Sequence, residues 1–69
     1  MKLSINGELR LIQTKASRTS LLFVIEQLEV NPKLIVVEFN GEIINSTNWS
    51  AQKVQDGDII EIVTIVGGG

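Results

Sequence analysis

The amino-acid sequence predicts an α+β domain in which a mixed sheet of four or five strands packs against one helix. Two segments each contain an Asn-Gly pair, which is the strongest short signal for a β-hairpin. A segment with helical spacing lies between them, and a long apolar run follows the second. The predicted order is strand, strand, helix, strand, short strand and long final strand, within one domain of 69 residues.

The first hairpin is predicted over residues 1–13. Leu3 and Ile5 alternate with polar residues, as expected for a strand with one buried face. Asn6-Gly7 then supplies two residues that tolerate a positive φ, and Leu9 and Leu11 alternate with charged residues on the return strand. This pattern predicts two antiparallel strands joined by a tight turn.

The helix is predicted to begin after Thr19 or Ser20, because either hydroxyl can accept a hydrogen bond from an unpaired backbone N–H. The spacing i, i+1, i+4, i+7 places four apolar residues on one helical face: Leu21, Leu22, Ile25 and Leu28. Asn31-Pro32 is expected to end the helix, since a residue before proline avoids the α region.

The second hairpin is predicted from a strand over residues 34–39, the Asn40-Gly41 turn and a short strand over residues 42–44. A polar stretch over residues 45–55 follows, with one short helical turn and the sole tryptophan, Trp49, which is expected to fill the core. The Asp56-Gly57-Asp58 turn leads into the last strand, and its carboxylates are expected to bond local amides.

The last strand has two different faces. Ile60, Ile62 and Thr64 are predicted to point into the core, because the residues that alternate with them include a charge. The opposite face carries Ile59, Glu61, Val63 and Ile65. Two interpretations remain open for its apolar members: they form an exposed docking patch, or they pack under a loop or neighbouring side chains.

Composition excludes several kinds of function. The chain has no cysteine and no histidine, so it cannot form disulfides, hold sulfur as a persulfide or build the usual zinc sites. It also lacks the commonest general base, which argues against an enzyme. Its net charge is −2 and its six cationic side chains are scattered, which argues against nucleic acid as a partner.

Location is expected to be cytoplasmic. No stretch approaches the roughly 18 apolar residues that span a bilayer, and the N-terminal segment lacks the apolar core of a signal peptide. We therefore expect no membrane partner.

The chain ends with Val66-Gly67-Gly68-Gly69, directly after the apolar run of the last strand. This ending predicts a globular domain over residues 1–66 and a flexible glycine tail over residues 67–69, because glycines have no side chains to anchor them. A terminal carboxylate on such a tail is accessible to a partner. The reactive group of the protein is thus predicted to be its own C-terminus.

Several of these segments together resemble a known family. They are Asn6-Gly7, the turn Asn40-Gly41-Glu42 with Trp49 downstream, the Asp56-Gly57-Asp58 turn and the terminal glycines. In this order, along the whole chain, they resemble the thiamin-biosynthesis sulfur-carrier proteins, which have the ubiquitin-like β-grasp fold. The departure is small: three terminal glycines stand where the family needs two. The resemblance implies that the first and last strands pair in parallel, with the helix across one face.

The resemblance also implies a function. An adenylating enzyme of the ubiquitin-activating type would use ATP and Mg²⁺ to activate the Gly69 carboxylate, which then becomes a thiocarboxylate. A donor such as a cysteine desulfurase would supply the sulfur, and thiazole synthase would receive it. Gly67 and Gly68 would thread into the partner, while Glu61, Val63, Ile65 and Val66 would dock it, with Glu61 as a rim charge. The chain itself would bind no cofactor and no metal.

Three other functions remain open. The chain could be a sulfur carrier for molybdopterin, which shares the fold, tail and activation chemistry, although those proteins tend to be longer. It could be a ubiquitin-like protein modifier, in which Gly69 forms an isopeptide bond to a lysine. It could also be a plain interaction module whose sheet binds a partner and whose tail is idle.

Overall fold

The structure is a computed structural model that describes residues 1–13 and 19–65. In these ranges it contains five strands, one α-helix and two short 3-10 helices. The strands are β1 (Lys2–Ile5), β2 (Glu8–Leu11), β3 (Ile35–Phe39), β4 (Glu42–Ile43) and β5 (Ile59–Thr64). The α-helix is α1 (Leu21–Gln27), and the 3-10 helices span Pro32–Leu34 and Ser46–Asn48.

The last strand lies at the centre of the sheet, whose order is β2-β1-β5-β3-β4. β5 is parallel to β1, with Ile60 opposite Ile5, and antiparallel to β3, with Ile60 opposite Phe39 on that side. Both outer pairs are antiparallel hairpins. The predicted mixed sheet and the parallel pairing implied by the resemblance are confirmed, and the arrangement is that of a β-grasp domain.

The two turn asparagines hold β5 on its two flanks. Asn6 and Asn40 have φ angles of 52° and 50°, the left-handed conformation that an Asn-Gly hairpin turn requires. The side-chain oxygen of Asn6 accepts a hydrogen bond from the Ile62 N–H at 2.6 Å, and that of Asn40 accepts one from the Ile59 N–H at 2.8 Å. Each turn therefore closes its own hairpin and also ties the central strand.

The core lies between the sheet and α1. Ser20 caps the helix, as predicted, by accepting a hydrogen bond from the Phe23 N–H at 3.1 Å. The buried apolar residues are Leu3, Ile5, Ile12, Leu21, Val24, Ile25, Ile35, Val37, Trp49, Val54 and Ile60. The indole N–H of Trp49 donates to the Ile44 carbonyl at 2.9 Å, so this buried ring has its polar group satisfied. The prediction that Trp49 fills the core is confirmed.

The prediction for the end of the helix is wrong. The helix ends at Gln27, well before Asn31-Pro32, and the backbone N–H of Leu28 bonds to the Ile25 carbonyl. Glu29 then adopts a φ of 56°, and a left-handed residue at this point turns the chain out of the helix. Pro32 instead begins a 3-10 helix that includes Leu34, so β3 starts one residue later than predicted.

The carboxylates of the acidic turn before β5 both accept backbone hydrogen bonds, but only that of Asp58 is local as predicted, since the partner of Asp56 lies in β1. Asp56 accepts a hydrogen bond from the Lys2 N–H at 2.7 Å, and Asp58 accepts one from the Gln55 N–H at 2.8 Å. Asp58 also accepts a hydrogen bond from the Asn40 side-chain amide at 3.1 Å. These contacts join the start of β5 to both hairpins.

Candidate functional site

The face of β5 that points away from α1 is exposed. Ile60 is fully buried, whereas Ile59, Val63 and Ile65 are 51%, 57% and 50% exposed. The predicted facing of this strand is confirmed for Ile60 and Ile62, which pack in the core, but Thr64 is exposed near the end of the strand and does not contribute to the core. Of the two interpretations left open for its apolar residues, the exposed patch is the one found.

The exposed apolar surface extends well beyond β5. Strand register places Leu9 opposite Ser4, and Ser4 opposite Ile59, so these residues share one side of the sheet. Val63 is likewise opposite Val36. We call this surface the outer face, and its apolar members are Leu9, Leu11, Leu34, Val36, Ile43, Ile59, Val63 and Ile65. An apolar surface of this kind is typical of a protein-docking site.

The leucines of β2 were not identified as surface residues from the sequence. Leu9 and Leu11 are 71% and 73% exposed, which makes them the most exposed part of the outer face together with Ile43. The sequence did contain the information needed to place them, because a two-residue turn at Asn6-Gly7 must place Ile5 opposite Glu8. Leu9 therefore shares a face with Ser4, and its apolar side chain points away from the core.

Glu61 lies within the outer face, between Ile59 and Val63 along β5, rather than at its rim. Its cross-strand neighbour is Glu38 of β3, and the residue opposite Glu38 on its other side is Ile43. Two carboxylates thus stand side by side in apolar surroundings. Sequence reasoning missed Glu38, because its proximity to Glu61 depends on the register of two strands distant in sequence.

The outer face reaches the end of β5. On the flank next to β3, the Ile65 N–H donates to the Leu34 carbonyl at 2.6 Å. On the other flank, the bond from Ile62 to the Asn6 side chain holds the strand beyond the end of β1. Hydrogen bonds therefore hold the segment that leads toward the C-terminus against the sheet as far as Ile65.

The C-terminal predictions concern residues outside the described ranges. These are Val66 as a docking residue, Gly67 and Gly68 as the threading segment, and Gly69 as the sulfur carrier. Glu61, Val63 and Ile65 are accessible on the outer face. Docking by any of these residues stays a prediction.

Residues 1–13 and 19–65 contain no group of three or more acidic, histidine or cysteine side chains placed to hold a metal ion. None of the helices in these ranges has the length and apolar character needed to cross a membrane.

The chain is similar to members of one protein family over nearly its whole length. Residues 3–69 match the model of a family described as the ThiS family. The sulfur carrier protein ThiS of Bacillus subtilis is 31% identical over 67 residues, which cover 97% of this chain and 98% of that protein. A crystal structure of the thiamine biosynthesis protein (ThiS) from Geobacter metallireducens superposes with a TM-score of 0.84 at 30% identity, covering both chains completely.

A longer relative is also similar. The thiazole synthase of Paramagnetospirillum magneticum is 39% identical over 69 residues, which are the whole of this chain but 20% of that protein. The protein ycf40 of Trieres chinensis is 44% identical over 46 residues, which are 67% of this chain and 63% of that protein. The matched residues thus span less than two thirds of the length of each of these two curated relatives.

Proposed function

The chain belongs to the ThiS family, whose members include sulfur carriers of thiamine biosynthesis, and from this premise we propose that it carries sulfur as a thiocarboxylate on Gly69. The observation that carries the proposal is the outer face: an exposed apolar surface runs along β5, the strand that leads to the terminal glycines. In this proposal the folded body is recognised by the outer face, and the chemistry takes place at the tail.

The proposed chemistry begins with activation of the carboxylate. A carboxylate is a poor electrophile because its negative charge repels nucleophiles. On an adenylating enzyme of the ubiquitin-activating type, a Gly69 carboxylate oxygen attacks the α-phosphorus of ATP, and pyrophosphate leaves. The outer sulfur of a donor persulfide then attacks the acyl carbon and displaces AMP, so one carboxylate oxygen departs on the phosphate and an acyl disulfide forms. A second thiol attacks the donor sulfur of this disulfide, which releases the thiocarboxylate and leaves the two thiols joined as a disulfide. In this proposal the partner binds ATP and Mg²⁺, because the sequence of this chain contains no Gly-x-x-x-x-Gly-Lys-Ser/Thr phosphate-binding loop.

Tail length and docking are linked in this proposal. Four extended residues, 66–69, reach roughly 13 Å, far enough to carry the carboxylate from a docked body into a buried site. Ordering them costs about 1–2 kcal/mol per residue in backbone entropy. Binding of the outer face offsets that cost, and Val63, Ile65 and Val66 are the apolar residues nearest the tail in sequence.

The acceptor of the sulfur is proposed to be thiazole synthase. The similarity of this whole chain to 20% of the Paramagnetospirillum thiazole synthase supports that assignment, because a related domain there belongs to the same polypeptide as the enzyme. The thiamine proteins among the similar sequences and structures likewise favour thiamin over molybdopterin. A cysteine desulfurase is the proposed class of sulfur donor, and the cytoplasm is the proposed location.

The docking part of the proposal is tested with Val63→Asp. ATP-dependent pyrophosphate release is measured with the adenylating enzyme of the same organism and increasing concentrations of the carrier. An unpaired carboxylate buried at the contact costs about 2 kcal/mol, so we expect the KM for the carrier to rise roughly 30-fold. The loss should fall on KM rather than kcat, because Val63 contacts the partner and not the reacting atoms.

The matched control is Ala51→Asp, which adds the same charge at an exposed position in the loop after Ser46–Asn48. Its KM should stay within about twofold of the unmodified chain, as expected for a surface substitution away from a contact. Equal KM values for the two variants would contradict docking through the outer face. If the adenylating enzyme released no pyrophosphate from ATP in the presence of the unmodified chain, the proposed function itself would be contradicted.

A further inference from the structure

The acidic pair at the centre of the outer face has no evident structural purpose. Glu38 and Glu61 are directly opposite each other on antiparallel strands, so their side chains leave the same side of the sheet with Cβ atoms about 5 Å apart. Like charges in this position destabilise a sheet. The free protein thus bears an unfavourable feature on the same surface that the proposed function uses for docking.

The surroundings of the pair do not relieve this repulsion. Within the described ranges, Glu38 is flanked by Ile43 on the neighbouring strand, and the outer-face residues two positions from Glu61 are Ile59 and Val63. Glu38 is half-buried, and Glu61 is exposed. The register therefore places apolar side chains, not cations, on these sides of the two carboxylates.

An arginine is the group that such a surface fits best. Its guanidinium is planar and carries five donors, so it can bond two neighbouring carboxylates at once, which the compact ammonium of lysine does less well. It is also weakly hydrated and stacks on apolar surfaces, and arginine is enriched at the centres of protein interfaces. The exposed isoleucine and valine side chains around the pair would exclude water from such a contact.

We propose that Glu38 and Glu61 together bind one arginine guanidinium of thiazole synthase, within the largely apolar contact made by the outer face. This inference rests on the proposed function. Charge complementarity defines the chemistry of the partner surface, and continuity of the outer face with β5 places that surface beside the entry of the tail. The choice of enzyme follows from the thiazole synthase that has a related domain in its own chain.

The test is the affinity of the full chain for thiazole synthase of the same organism, measured by titration calorimetry without any sulfur chemistry. The double variant Glu38→Gln/Glu61→Gln should bind at least about tenfold more weakly, because a buried arginine would lose both of its anionic partners. Its affinity should also depend less on salt concentration than that of the unmodified chain.

The matched control is Glu26→Gln/Glu42→Gln, which changes the net charge equally at exposed positions off the outer face. Glu26 is on α1, and Glu42 is opposite Phe39, whose side chain packs against the core. This control should bind within twofold of the unmodified chain.

Urea unfolding distinguishes a binding role of the two glutamates from a structural one. If they stabilised the fold, their replacement would lower the unfolding midpoint. Removing the like-charge contact should leave the unfolding midpoint of Glu38→Gln/Glu61→Gln equal to or above that of the unmodified chain, while binding becomes weaker. A lower midpoint that accounts for the weaker binding would overturn the proposal. Unchanged affinity, or the same loss in the control, would also overturn it.

Measurement of the KM with the adenylating enzyme separates the two partners. If Glu38→Gln/Glu61→Gln raised the KM with the adenylating enzyme by a larger factor than it weakened binding to thiazole synthase, the choice of partner would be overturned. Failure of the unmodified chain to form a thiocarboxylate would contradict the proposed function but not this affinity measurement, so the two failures are distinguishable.

Discussion

A chain that lacks Gly69 is expected to deliver no measurable sulfur to thiazole synthase, although it folds as stably as the full chain. Deletion moves the terminal carboxylate back by roughly 3.5 Å along an extended tail. A misplacement of only about 1 Å can cost on the order of 10²-fold in rate, so a full residue should abolish turnover. The measurement is thiazole formation with purified enzymes, supported by growth of a carrier-deficient strain without thiamin.

Urea unfolding of the shortened chain is the control for this experiment. The described core residues all lie at or before Ile60, so the unfolding midpoint should not change on deletion of Gly69. Full sulfur delivery by the shortened chain would contradict Gly69 as the residue that carries the sulfur. A chain that lacks both Gly68 and Gly69 tests the function itself: if it kept its full activity, the carrier function would be contradicted and a plain interaction module favoured. Conjugation of the full chain to lysines of other proteins would instead favour a ubiquitin-like modifier.

Ile60→Ala is expected to have the largest effect on stability. Ile60 is fully buried in the central strand, between Ile5 of β1 and Phe39 of β3. Truncating a buried isoleucine costs about 2–5 kcal/mol, because apolar contacts are lost and a cavity remains. A domain of 69 residues has roughly 3–10 kcal/mol of unfolding free energy in total. The variant should therefore be largely unfolded, or unfold at a much lower urea concentration, as measured by circular dichroism.

Ile59→Ala is the matched control, because it removes the same atoms from the adjacent position. Ile59 is 51% exposed on the outer face, so the substitution should lower the unfolding free energy of the protein by less than about 1 kcal/mol. Equal losses for the two variants would contradict the assignment of one side of β5 to the core and the other to solvent.

Much of the fold could be predicted from local signals. The Asn-Gly pairs define both hairpins, because each supplies the two left-handed residues that a tight turn needs. The parallel pairing of β1 with β5 came only from the family resemblance, since no local pattern encodes a contact between strands so distant in sequence. The helix end was misplaced because Glu29 adopts a left-handed φ, which is uncommon for a residue other than glycine, asparagine or aspartate.

The candidate site was predictable where it depends on one strand. The period of two residues along β5 was enough to place Val63 and Ile65 on the exposed side. The contributions of Leu9, Ile43 and Glu38 depend on how neighbouring strands align, and that alignment is a property of the folded sheet. The outer face is therefore broader, and its acidic centre more concentrated, than the sequence indicated.

The most direct test of the central claim is the intact mass of the protein purified from cells with a working thiamin pathway. We expect a fraction of the chains to be heavier by the exchange of one oxygen atom for one sulfur atom, with the change confined to Gly69 on fragmentation. The same species should form when the purified chain is incubated with ATP, the adenylating enzyme and a sulfur donor. Only the unmodified mass, both from cells and after that incubation, would contradict a sulfur carrier.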